Sequence, residues 1–143
     1  MSKRETILAR VLTVVTPTSG ISSRAYRSRQ IPLNNRSQLP AILIEPVSDD
    51  AEQNSSLPQL DWSLRIRITV LQIGDASTAA DSAADSVVQS MHSLLMDDLT
   101  LNGNAIDIQP ESVDYQFTDA DQTTVAVNCD YLIRYRTSVD SLA

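Results

Sequence analysis

The sequence predicts an α+β fold: two amphipathic helices on one face of an antiparallel or mixed β-sheet, in the order α-β-β-β-α-β-β-β. Three observations carry this. Two segments space their apolar residues at three and four, as one face of a helix requires, whereas Trp62, Leu64, Ile66, Ile68 and Val70 alternate with polar residues at period two. The strands also come in blocks instead of alternating singly with helices, which argues against a doubly wound parallel sheet.

The first helix starts at Ser2, where Ser2 and Glu5 make the S-x-x-E spacing of a capping box. Ile7, Leu8, Val11, Leu12 and Val15 form its apolar stripe, and Thr16-Pro17 ends it, because a residue before proline avoids the α region. Residues 21–40, with Arg24, Arg27, Arg29 and Arg36 among Ser, Asn and Gln, read as an extended arm with a strand near 22–30. Ala41–Glu45 is a short apolar strand closed by Pro46, and residues 47–60 read as a long polar loop. Asp61–Ile73 is the clearest strand, with Ser63, Arg65, Arg67 and Thr69 on the face opposite the apolar row. After Gly74-Asp75 a second helix runs from Ser77 to Met96, burying Ala80, Ala84, Val87, Val88, Met91 and Leu95. Ile106 and Ile108 mark a short strand. A terminal hairpin follows, with Val113, Tyr115 and Phe117 on one arm, Asp119–Gln122 as the turn, and Val125 to Tyr135 on the other.

At 143 residues the length fits one domain spanning 1–143. No apolar run reaches the ~18 residues that span a bilayer, and Glu5, Thr6 and Arg10 interrupt any signal-peptide core, so the expected place of synthesis is the cytoplasm. The net charge of -7 disfavours free binding to nucleic acid or to an anionic membrane. Residues 1–71 hold nine basic and six acidic side chains, and residues 72–143 hold two and twelve. The molecule therefore has two electrostatically different halves, as suits oriented docking.

No catalytic, cofactor-binding or metal-binding constellation emerges, and the expectation is a protein that is not an enzyme. His92, the single histidine, lies beside the buried helix stripe, and Cys129, the single cysteine, lies in a core-facing alternation. No H-E-x-x-H, C-x-x-C, G-x-S-x-G or P-loop spacing occurs. Asp119 and Asp121 sit in a turn, where aspartate serves the backbone. Arginine supplies ten of the eleven basic residues, and arginine is favoured over lysine in planar, paired contacts. Arg65 and Arg67 share one strand face, as do Arg134 and Arg136, so one sheet surface can carry four guanidinium groups, either as an interface or as a solvated face.

The capped helix Ser2–Val15, the run Leu39-Pro40-Ala41-Ile42-Leu43-Ile44, the Trp62–Ile73 strand, the helix Ser77–Met96 followed by Leu99-x-Leu101, and the terminal hairpin together resemble the tail terminator, or tail completion, proteins of long-tailed bacteriophages. The resemblance covers nearly the whole chain by layout and size. It implies a virion protein that forms a hexameric ring, caps the head-proximal end of the tail tube, ends tube growth and joins tail to neck while DNA passes through the hole. The implied neighbours are further copies of the chain, the tail tube protein, a neck or connector protein and a sheath protein, with neither cofactor nor membrane. A neck or head-closure ring subunit and a cytosolic ligand-binding domain are the alternatives. The polar segments 21–38 and 47–60 are the expected assembly elements, which puts Arg24, Tyr26, Arg27, Arg29, Arg36, Asp49, Asp50 and Glu52 at a subunit interface. The acidic excess of residues 72–143 is expected to border the DNA passage. Asp119 and Asp121 come first, and Asp97, Asp98 and Asp107 next.

Overall fold

The computed structural model describes residues 2–21, 24–28, 40–53, 58–74, 79–119 and 123–143. Two helices, α1 (Lys3–Val15) and α2 (Ala80–Met96), accompany five strands: β1 (Ala25–Arg27), β2 (Ala41–Glu52), β3 (Gln59–Ile73), β4 (Asp107–Asp119) and β5 (Thr123–Ser138). The sheet order is β1-β2-β3-β5-β4. β1 runs parallel to β2 and the other neighbours are antiparallel, so the sheet is mixed.

Periodicity sets which face is closed. Leu64, Ile66, Ile68 and Val70 of β3 are fully buried, and their β5 partners Ile133, Tyr131, Cys129 and Val127 are buried with them. Ile7, Leu8, Val11 and Val15 of α1 and Ala84, Val87, Met91 and Leu95 of α2 join the same core cluster. Both helices therefore lie on one sheet face, and the other face carries Ser63, Arg65, Arg67 and Thr69.

Two expectations about the strands are corrected. The sheet has five strands, not six, because Ile108 and the Val113–Phe117 arm belong to one continuous β4 with a bulge between Pro110 and Ser112. Proline has no N–H for the ladder, and a bulge absorbs that loss without ending the strand. Residues 47–52 are not loop but the second half of β2, paired from Ser48↔Arg65 to Glu52↔Asp61 after a shift at Pro46. This half is polar, so period two carries no apolar signal there.

The helix starts also differ in detail. The Ser2 hydroxyl accepts from the Glu5 amide at 3.1 Å, as a cap should. The Glu5 carboxylate, however, does not close the box; Arg27 of β1 takes it. Asp98 and Asn104 organise the turn that leads from α2 to β4, where Leu101, Asn102 and Gly103 adopt positive φ.

Candidate assembly surfaces

The expected interface residues divide into four groups. Arg24 donates to the Pro40 carbonyl at 3.0 Å, and Arg27 grips Glu5 with both terminal nitrogens, one of them at 2.7 Å. These two arginines hold β1 to the body of the chain. Tyr26 is half-buried between them. Asp50 and Glu52 are exposed on β2, whereas Arg29 and Arg36 lie outside the described residues, as does Asp121 of the proposed passage. Asp119 is the last residue of β4.

Asp49 is not a free surface acid. One carboxylate oxygen accepts from Arg4 Nε at 2.5 Å and from the Tyr135 hydroxyl, and the other is buried with no hydrogen-bond partner. The Arg4 guanidinium lies 5.4 Å from the centroid of Trp62. Trp62 in turn stacks on Tyr135 at 6.1 Å and donates to Thr137 at 2.8 Å. Burial, and then the Asp49 carboxylate, push the Tyr135 hydroxyl well above the usual tyrosine range. The cluster ties the start of α1 to the far ends of β2, β3 and β5. Its aspartate came from a segment whose composition alone suggested loop.

The open sheet face is a lattice of ion pairs. Arg65 pairs with Glu111, Arg67 with Asp130, Arg134 with Asp107 and Arg136 with Asp61. The strand register adds Glu45, Asp50, Glu52 and Asp114 to the same face, so among the described residues eight carboxylates meet four guanidinium groups. The face is acidic overall, and its arginines are already engaged. The Arg134 hydrogen bonds hold the Asp107 carboxyl below its ordinary range, and those of Arg65 do the same for Glu111. Asp98, another of the weaker passage candidates, faces α1: its desolvation is outweighed by hydrogen bonds from the Asn102 amide and Arg10, which lower its carboxyl.

The sheet's β4 edge carries the surface that sequence reasoning missed. By register Val113, Tyr115 and Phe117 point to the helix side, yet they are 49%, 55% and 56% exposed. α2 packs on β3 and β5 and stops short of them. Between α2 and β4 lies a groove of about 370 Å³ lined by Asp85, Val88, Gln89, His92, Pro110, Val113 and Tyr131, among others. The His92 Nδ1 lies 2.9 Å from the Tyr131 hydroxyl and the two rings stack. The alternation at 113–117 was readable; which side of it the helices leave bare was not.

Cys129 is buried, and desolvation, helped by the Asp130 charge, raises its thiol to about 11, which suppresses the thiolate a nucleophile needs. Among the described residues no group of three or more His, Cys, Asp or Glu side chains could hold a metal ion, and no helix is long and apolar enough to cross a membrane.

No protein-family model and no curated protein matches the sequence. Among solved structures, the fold is similar to a chain of the virion of a native gene transfer agent particle, with a TM-score of 0.49, 8% identity, and coverage of 91% of this chain and 94% of that one.

Proposed function

We propose that this chain is a structural, non-enzymatic subunit of a phage-like particle. In this reading it forms a ring that caps the head-proximal end of the tail tube, ends tube growth and joins the tail to the neck. The layout resemblance set out from the sequence supplies the tail position and the sixfold count. One observation supports association as the chain's work: the two sheet edges differ in chemistry. At the β1 edge the chain leads into a segment whose only charges are Arg29 and Arg36, and the β4 edge bears an uncovered apolar row next to an α2 that has no lysine or arginine. Unlike edges favour head-to-tail contact, and a head-to-tail contact that closes makes a ring.

The open face suits a wall that DNA slides past. Its carboxylates outnumber its arginines, and each arginine already holds a carboxylate, so phosphate would meet net repulsion instead of the salt-bridge grip that releases counterions and slows transit. Particle fractionation tests the reading. The chain is expected to co-sediment with particles and to sit at one end of isolated tails; a chain found only in the soluble fraction would favour a cytosolic binding domain. Location on the capsid side of the neck would make it a connector subunit.

A further inference from the structure

We propose that the groove between α2 and β4 seats the basic segment 29–39 of a neighbouring copy of this chain. The inference rests on the ring reading and names the contact that would close it. The α2 wall of the groove presents Asp85, with Asp81 exposed one helical turn earlier on the same helix, and α2 contains neither lysine nor arginine. Arg134 and Arg136, the two basic residues after position 71, are occupied by Asp107 and Asp61. The groove floor is apolar, with Val88, Val113 and Tyr131, and it continues into the exposed row of Tyr115 and Phe117. Its occupant should therefore combine cations with aliphatic side chains. Segment 29–39 has Arg29 and Arg36, no acidic residue, and Ile31, Leu33 and Leu39.

Reach favours a neighbour over the same copy. Segment 29–39 leaves from Ser28 beside β1, the edge strand opposite β4, and returns at Pro40 before β2, one strand further in. Crossing the three to four strand spacings from these anchors to β4 takes ~14–19 Å. A segment of this length, tethered at both ends, extends at most ~20 Å from its anchors. Within one copy it would use most of its reach on the crossing and have little left to lie along the groove. A second copy docking by its own β4 edge is disfavoured, since that would bring two acidic walls together.

Single-cysteine variants of the full chain decide the matter. Leu33→Cys is mixed with Tyr115→Cys, or with Phe117→Cys as a second probe, under mild oxidation, all in a Cys129→Ala background because Cys129 lines the groove. Val47→Cys, on an exposed β2 site away from the groove, is the reference partner. The expected result is a mixed disulfide formed about tenfold faster with the groove cysteines than with the reference, because docking raises the effective concentration. Adding Arg29→Glu and Arg36→Glu to the Leu33→Cys chain should return the rate to the reference. Equal rates with groove and reference partners would overturn the proposal, as would Tyr115→Cys self-pairing as the main product. The double variant Leu33→Cys/Tyr115→Cys separates the two ideas. A closed six-membered covalent product supports both, whereas an open ladder of growing length keeps the docking contact and refutes the sixfold ring.

Discussion

Replacing Asp49 by alanine probes the cluster that joins α1 to the sheet, and its cost follows from the partners left behind. The Tyr135 side chain is 1% exposed and loses a charged acceptor, which costs about 1.5–3 kcal/mol. Arg4 is about one-third exposed and regains water, so its share is only about 0.5–1 kcal/mol. Against this, the substitution removes a buried carboxylate oxygen that has no partner, which returns about 1 kcal/mol. The net expectation is a loss of about 1–3 kcal/mol. Trp62, the single tryptophan, belongs to the cluster, so its fluorescence reports urea unfolding without a label. A double-mutant cycle with Tyr135→Phe should give a coupling of about 1–2 kcal/mol between the two positions. An Asp49→Ala chain as stable as the parent, or a cycle with no coupling, would refute the reasoning: the aspartate would then be solvated and free for an interface.

Three further outcomes are expected. Ile66→Ala empties a fully buried position at the sheet centre and should cost about 2–5 kcal/mol in chemical denaturation, with no change in the slope against denaturant. Gly74→Ala should lower the melting temperature, because an added Cβ would meet the Ala80 amide nitrogen at 2.8 Å, and backbone does not give way as a side chain does; the overpacking cost is about 1–3 kcal/mol. Asp107 and Glu111 have depressed carboxyl pKa values, so their contribution is present above the ordinary carboxylate range near pH 4 and is lost as pH falls through the depressed values. Melting curves from pH 6 to pH 2 should therefore fall less steeply in an Asp107→Asn/Glu111→Gln chain than in the parent, and parallel curves would show that these pairs do not form in solution.

What was legible in the sequence followed one rule: a residue could be placed where its periodicity coincided with burial. The β3 alternation and the two helix stripes were read directly, with Leu12 and Val88 the stripe members left half-buried, and Val88 lines the groove. The second half of β2 was not readable, because Ser48, Asp49 and Asp50 owe their strand conformation to pairing with Arg65, Leu64 and Ser63 and not to an apolar face. Asp49 illustrates the same limit at the level of the site. Its charge suggested solvent, and only the distant Arg4 and Tyr135 make it an interior acid. Arg27, expected at a subunit interface, pairs with Glu5 of the same chain. An Arg27→Glu substitution would disturb the fold as well as any interface, so Arg29 and Arg36 are the cleaner probes of assembly. Exposure of the β4 row could not be inferred at all, since it depends on where α2 stops.

Electron microscopy of assembled particles, with this chain located in the density, tests the central claim most directly. The account predicts six copies in a closed ring at the head-proximal end of the tail tube, with the acidic open sheet face toward the axis and each α2–β4 groove against the next copy. A single copy bound asymmetrically, or a ring whose hole is lined by Arg65, Arg67, Arg134 and Arg136 released from their carboxylates, would contradict it.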